Sequence, residues 1–150
     1  MRELGEAYIP YVSLLSNLLG KVDTKNYNYN QLSNEISIKF GGLDFQNKTF
    51  ESSNEEENFN IRLRARVKVL ETHLEVSFNY LNEIINHSIF TEEKRILELL
   101  QEIKLNLEMS LNQNGHFFAL MRLHSQLSLA AKYDEKLDGI DFYHFICNIL

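Results

Sequence analysis

Residues 58–88, which read NFNIRLRARVKVLETHLEVSFNYLNEIINHS, carry the clearest structural signal in the chain. Their first half alternates strictly between apolar and polar residues, which is the two-residue period of a β-strand with one buried and one solvated face. The apolar positions are Phe59, Ile61, Leu63, Ala65, Val67 and Val69. Helical spacing begins at Thr72, and the predicted apolar face of that helix is Leu74, Phe78, Leu81 and Ile85. A strand leading directly into an amphipathic helix predicts a sheet with helices against one face.

A second strand is predicted upstream, where Leu43 and Phe45 alternate with polar residues and Asn47 and Thr49 continue the spacing. The connector between the two predicted strands is residues 51–58, an acidic segment without an apolar residue. Two strands joined by such a connector predict an antiparallel hairpin with a solvated tip.

Further helices are predicted from apolar residues at helical spacing. Asn28 and Gln31 form a candidate capping box at the start of the second helix, and Thr91 is the predicted N-cap of the fourth. All predicted helices together span residues 8–19, 29–40, 72–88, 92–113, 116–127, 130–137 and 140–150. The predicted fold class is α+β, an antiparallel hairpin covered on one face by several α-helices, with no internal domain boundary in residues 1–150.

Composition excludes several classes of protein. The chain is 44% hydrophobic and has a net charge of −6, which favours a globular domain and argues against nucleic acid as a partner. No apolar run reaches the length of a membrane span, and the first residues do not resemble a secretion signal. The single cysteine, Cys147, cannot form an internal disulfide, so we expect a cytoplasmic location.

Asp141, His144 and Cys147 are the candidate metal ligands. Their spacing of three places them along one side of the last helix, and all three residue types bind zinc. The alternative is a polar helix face with a partly buried cysteine, because a trio from one helix shows no supporting second layer of hydrogen bonds. His124 lies on a predicted apolar face, where a core histidine with a hydrogen-bond partner is the simpler interpretation. The zinc-peptidase motifs H-E-x-x-H and H-x-x-E-H are both absent, so no catalytic residue is predicted.

The polar face of the strand at residues 59–69 is a row of cations, Arg62, Arg64, Arg66 and Lys68. This row is a candidate interaction face for an anionic segment. The alternative is a solvated strand face, since exposed charge commonly keeps sheets soluble.

Several stretches share their order and spacing with a known family. They are IPYVSLL and LLGKVDT within residues 9–24, Tyr29 with LSNEI at 32–36, Gly41 with Gly42, ALMR at 119–122 with Ser125, and GIDFY at 139–143. Together they resemble the insulinase/pitrilysin family of zinc peptidases, in its presequence-protease branch. The matched part is the start of that family's C-terminal half, around its third domain.

The resemblance implies a partial domain of a metalloprotease-like α+β fold. Members of the family are longer proteins, two half-shells that close around an unfolded peptide, with zinc and its catalytic glutamate in the H-x-x-E-H motif of the N-terminal half. No position of this chain matches that motif. The strands expected before the first helix are also missing, so we expect the polypeptide to continue at both ends.

The resulting prediction is a non-catalytic fragment of a zinc-dependent metallopeptidase that forms part of the substrate chamber wall. Its expected partners are the remaining domains of the parent and the unfolded peptide substrate, with zinc held by the parent and no cofactor in this chain. One alternative is a stand-alone interaction module that captures a peptide along an exposed strand edge, and another is a small metalloprotein. An open strand edge also predicts homo-oligomers.

Overall fold

The computed structural model describes residues 5–51 and 59–150. Within these ranges the chain has the predicted α+β class, with one two-stranded antiparallel sheet and seven α-helices. The elements are β1 (Gly42–Glu51), β2 (Phe59–Lys68), α1 (Ile9–Leu18), α2 (Tyr29–Lys39), α3 (Leu74–His87), α4 (Glu93–Gln113), α5 (Gly115–His124), α6 (Leu129–Asp138) and α7 (Ile140–Ile149). None of the helices in the described part of the chain combines the length and apolar character needed to cross a membrane.

The hairpin is antiparallel, as predicted, and its register places Phe45 opposite Ala65 and Asn47 opposite Leu63. On the inner face Phe45, Asn47 and Ile61 are buried. The middle of β2 is less covered than predicted, because Leu63 is 37% exposed and Ala65 is also exposed. The predicted acidic tip lies largely outside the described residues.

Helix α1 occupies the centre of the molecule, where it contacts β1, α4, α6 and α7. Small buried serines mediate its polar contacts. Ser13 Oγ donates a hydrogen bond to the carbonyl oxygen of Leu137 in α6. The side-chain amide of Asn47 in β1 donates to Ser16 Oγ at 3.0 Å and to the Val12 carbonyl at 3.2 Å. Hydrogen bonds from α1 therefore fix both α6 and the sheet.

Separate apolar clusters form the core. Where the sheet meets α2 and α3, the buried residues are Leu19, Leu32, Phe40, Phe45, Tyr80 and Ile84. Between α4 and α7 they are Leu100, Ile103, Phe142 and Ile146. A smaller cluster joins α1, β2 and α6 through Ile9, Ile61 and Leu137. The helices cover one face of the sheet, as predicted, and leave the cationic face of β2 exposed.

Helix ends follow local sequence signals in most places. Gly20, with φ of 80°, follows the end of α1 in the left-handed conformation that favours glycine. Both hydrogen bonds of the predicted capping box are present between Asn28 and Gln31. The prediction of Thr91 as an N-cap was wrong, because α4 starts one residue later than that prediction requires and Glu92 holds the N-cap position without a side-chain hydrogen bond.

Helix α3 buries a face that shares only Leu81 with the predicted one. Leu74, Phe78 and Ile85 are exposed by 49%, 63% and 48%, whereas Tyr80 and Ile84 pack into the core. The prediction was wrong because α3 carries apolar residues on two faces, and periodicity does not say which face meets the sheet. We call Leu74, Phe78 and Ile85 the outer face of α3.

The spacing of Phe117, Leu120, Met121, His124 and Leu127 predicts one apolar face for α5, and much of that face lies at the surface. Phe117 and Leu120 are exposed by 54% and 53%, and Phe118 is the buried residue of this helix. His124 is exposed as well, so the prediction of a core histidine was wrong. The helix meets its neighbours through a different face, on which Phe118 is buried and Arg122, one turn later, contacts α6 and α7.

Candidate functional site

The three predicted metal ligands lie on α7 but do not converge. Asp141 Oδ1 accepts a hydrogen bond from Arg122 Nη1 at 2.7 Å. The His144 ring lies beside that of Tyr143, with the centroids 5.7 Å apart. The Cys147 thiol interacts with the Tyr143 hydroxyl, and this contact, followed by burial, raises the pKa of Tyr143 to about 12. Each candidate ligand is therefore engaged by a protein neighbour.

The other acidic, histidine and cysteine side chains that the structure describes do not supply a metal site either. Across residues 5–51 and 59–150, no three or more of these side chains gather in an arrangement able to hold a metal ion. A protein zinc site needs three or four such ligands converging on one point. The described residues therefore do not fit a zinc site of the kind that Asp141, His144 and Cys147 would form.

The cationic row of β2 contacts side chains of β1 that lie on the same face of the sheet. The pairs are Arg66 with Asp44, Arg64 with Gln46, and Arg62 with the ring of Phe50. All four cations of the row, including Lys68, are exposed. Exposed pairs contribute only about 0–1 kcal/mol each, so an anionic partner would displace weak contacts.

A polar network that the sequence did not predict joins α5, α6 and α7. Arg122 Nη1 donates to Glu135 Oε1 at 3.1 Å and to Asp141 Oδ1 at 2.7 Å. Glu135 is only 1% exposed, and its Oε1 also accepts the backbone N–H of Ile140 at 3.1 Å. The hydrogen bond and charge of Asp141, together with the charge of Glu135, raise the pKa of the Arg122 guanidinium. The network neutralises a buried carboxylate while it holds three helices together.

Gly139 makes room for that buried carboxylate. A Cβ atom on Gly139 would overlap Glu135 Oε2 and lie 2.6 Å from the Glu135 carbonyl oxygen. The same Oε2 is buried and has no hydrogen-bond partner among the described residues. The predicted helices at 130–137 and 140–150 leave Gly139 as the break between them, but only the fold places it against a charged side chain.

One sequence signal did point toward this network. Arg122 and Asp141 both belong to stretches that carry the family resemblance. Nothing in the sequence connected either residue with Glu135, because the pairing depends on how α5 folds back against α6. The network is a structural site that binds helices to each other.

Comparisons with known proteins agree with the resemblance. The family described as peptidase M-16C associated matches residues 1–149. The chain belongs to this family. Protein HypA of Clostridium perfringens is 35% identical over 144 residues, which are 96% of this chain and 15% of that protein. The mitochondrial presequence protease of Yarrowia lipolytica is 27% identical over 146 residues, 97% of this chain and 15% of the protease. That of Drosophila melanogaster is 24% identical over 137 residues, 91% of this chain and 13% of the protease.

Membership in this peptidase-associated family confirms the predicted relation to the C-terminal region of insulinase-family peptidases. The chain spans about 15% of the length of the Clostridium perfringens and Yarrowia lipolytica relatives. Residues 1–150 are thus a peptidase-associated region, and the activity of a whole peptidase is a separate question.

Proposed function

We propose that this chain is a non-catalytic part of the substrate chamber wall of a zinc-dependent peptidase that degrades unfolded peptides. The observation that carries the proposal is the outer face of α3. Its residues, Leu74, Phe78 and Ile85, are about half exposed or more, although each is large and apolar. Contiguous apolar surface of this kind is typical of a protein interface. In a chain that matches about 15% of its relatives' length, the remainder of a longer peptidase is the partner that fits.

Two observations support a non-catalytic role. The described residues do not fit a zinc site, and the sequence lacks both zinc-peptidase motifs. Under this proposal, zinc chemistry belongs to another part of the peptidase. This region would shape the space in which the peptide is held and restrict entry to peptides that fit.

The first test is a metal analysis of the purified chain alongside cleavage of a fluorogenic unfolded peptide with added zinc. We expect no bound zinc and no turnover. Stoichiometric zinc accompanied by turnover would disprove the non-catalytic role.

A second test places the region in a longer protein. In a chimera, this chain would take the place of the region of the Yarrowia lipolytica presequence protease that it matches over 146 residues. Peptide cleavage by the chimera would then be measured. We expect cleavage to be retained, and we expect Phe78→Glu on the outer face of α3 to abolish it through lost assembly. Lys94→Gln, at an exposed position of α4 outside that face, is the control that should leave cleavage unchanged. An active Phe78→Glu chimera would argue against an assembly role for this face.

A second candidate function is capture of an extended peptide along the sheet. It is favoured by β2, whose middle residues Leu63 and Ala65 are exposed, and by the absence of a third paired strand in the described residues. A peptide strand would gain backbone hydrogen bonds at a free edge and side-chain contacts with Leu63 and Ala65.

Adjacent proline substitutions test this alternative. In an antiparallel ladder, neighbouring residues direct their N–H groups to opposite edges, so Arg64→Pro and Ala65→Pro remove one N–H from each edge of β2. Loss of an N–H that pairs with β1 should destabilise the sheet, whereas loss of an N–H at the free edge should not. The variant that melts close to the wild-type temperature is therefore the one altered at the free edge. Strand capture predicts that this variant loses peptide binding, and unchanged binding excludes it.

A further inference from the structure

A concave surface separate from the Arg122 network lies between the sheet and the helices that follow α3. It is a cleft of about 730 Å³ bounded by β1, α4, α5 and α6. Leu107, Phe117 and Met121 supply apolar wall, while Asn47 and Asp138 are among its polar groups. A cleft with an apolar wall and a few converging polar groups is the usual form of a binding site.

The polar groups include a buried acceptor that the protein itself leaves unused. Asn47 is 6% exposed and lies in the cleft wall. Its amide nitrogen donates to Val12 and Ser16 of α1, which fixes the orientation of the side chain. Its Oδ1 is buried and has no hydrogen-bond partner among the described residues. A buried acceptor without a donor is costly, by about 1–3 kcal/mol, so a bound donor would relieve this cost.

The charges around the cleft favour a cation. Asp134 and Asp138 lie one helical turn apart on α6, and Lys48 of β1 opposes only part of their charge. Asp134 Oδ1 accepts a hydrogen bond from Thr49 Oγ1, which orients that carboxylate along the cleft wall. His116 of α5 also lines the cleft.

Asp138 is the carboxylate that stands to gain most from a bound cation. The Asp138 side chain remains accessible to solvent. Neighbouring atoms nevertheless desolvate its carboxyl, and this raises the pKa of Asp138. The charge of Lys48 lowers that pKa, and the charge of Asp134 raises it further. An ionised Asp138 is therefore held in an unfavourable setting until a positive charge reaches it.

We propose that this cleft binds the side chain of an arginine, flanked by apolar residues, in a peptide. The arginine stem would lie along the apolar wall, and its guanidinium would reach Asp134, Asp138 and the Asn47 acceptor. Arginine fits because its stem packs on apolar surface and its five N–H groups serve several acceptors at once. The inference rests on the proposed function only for the source of the peptide, a substrate held in the chamber.

The stability of Asp138 variants separates a ligand site from a structural role. Because the folded state raises the pKa of Asp138, its ionised form opposes folding near neutral pH. Asp138→Asn should therefore melt at the wild-type temperature or above it. A structural carboxylate would instead lose stability on the same change.

The binding experiment uses the 150-residue chain and isothermal titration calorimetry. The probes are acetyl-Ala-Leu-Arg-Leu-Ala-amide and the same peptide with citrulline, which keeps the shape of arginine without its charge. We expect the arginine peptide to bind about fivefold more tightly than the citrulline peptide, as a partly exposed charge contact allows. In Asp138→Asn this difference should disappear. Glu75→Gln removes an exposed carboxylate on α3, away from the cleft, and should leave the preference intact.

Undetectable binding of the arginine peptide would overturn the proposal, as would a preference for arginine that persists in Asp138→Asn. These results are independent of the chimera test above. If the preference for the arginine peptide is absent but the chimera cleaves its substrate, only the assignment of the cleft is disproved. If the preference is present but the chimera is inactive, only the chamber-wall role is disproved.

Discussion

A few side-chain contacts determine how α5, α6 and α7 pack together. Glu135 is a buried charge, and it is tolerated because Arg122 and the Ile140 N–H supply hydrogen bonds. Gly139 is required for the opposite reason, since a side chain there would occupy the space of the carboxylate. The backbone of Gly139, with φ of −96°, is open to other residues, so the requirement is one of space.

Gly139→Ala should destabilise the chain. The added methyl group meets both the carboxylate and the backbone of Glu135, and overpacking of this kind costs about 1–3 kcal/mol. Thermal unfolding followed by circular dichroism should show a melting temperature lower by roughly 3–10 °C.

Gly115→Ala is the matched control for that change. A Cβ on Gly115 meets nothing within 4 Å, and alanine is the better helix former at the start of α5. We expect a melting temperature equal to or above that of the wild type. Equal effects of the two alanines would show that space at Gly139 is not limiting.

Glu6 should make stability depend on acid pH. Hydrogen bonds from Lys136 and then Lys132 lower the pKa of Glu6 from 4.5 to about 2. A carboxyl with a lowered folded-state pKa stabilises the fold above pH 4.5, and this contribution is lost as the pH falls toward 2. Glu6→Gln should thus lower the melting temperature slightly at pH 7, and the difference should shrink below about pH 4.5. Because Glu6 is 45% exposed, the effect at pH 7 should stay below about 1 kcal/mol.

The control for Glu6 removes its partners. In a Lys132→Met, Lys136→Met background, Glu6→Gln should have no further effect at any pH. A pH-dependent difference that survives in this background would assign the effect to another group.

Among the secondary-structure elements, sequence patterns located the helices and strands but chose the wrong face in two of them. The capping box at Asn28 and the alternation of β2 are local, so the sequence contains all the information they need. The buried face of α3 or α5 is a tertiary property. In α5, Phe118 and Arg122 lie one turn apart on the face that meets the neighbouring helices, and Arg122 neutralises the buried Glu135 there.

Arg122→Met should loosen α5. Removing the guanidinium leaves Glu135 buried without its cation, at a cost of about 1–3 kcal/mol, less than for a fully buried pair because Arg122 is 49% exposed. Hydrogen exchange should become faster in α5 and at the junction of α6 and α7. Adding Glu135→Leu should recover part of the lost stability, since the uncompensated charge is then removed.

Arg66→Met tests the same chemistry on the surface. The two side chains of its pair with Asp44 are exposed by 64% and 36%, so the expected cost is below about 1 kcal/mol. A cost as large as that of Arg122→Met would mean that burial of Glu135 is not the cause.

Taken as a whole, the described part of the molecule leaves much apolar surface uncovered. Besides the outer face of α3, exposed side chains include Leu105 and Met109 of α4 and Phe117 and Leu120 of α5. Exposed apolar side chains grouped on one helix face favour contact with other protein. In the proposed peptidase these faces would contact neighbouring domains.

The isolated chain should self-associate. Light scattering at tens of micromolar should give a mass above that of one copy, and Phe78→Lys should shift it toward the monomer by placing charge on the outer face of α3. Leu63→Lys tests the predicted pairing through the strand edge in the same way. A wild-type chain that is sharply monomeric would contradict both routes.

Local patterns were sufficient to predict the elements of this protein and its family. Alternation in β2, capping at Asn28 and the break at Gly139 are local signals, and the spaced stretches that resemble insulinase-type peptidases agree with the family match. Tertiary contacts were needed to choose the buried helix faces and to place Arg122 beside Glu135. They also separated the three candidate metal ligands, Asp141, His144 and Cys147, into contacts with different neighbours. The physical reason is that burial and charge neutralisation depend on partners distant in sequence, which a local pattern does not specify.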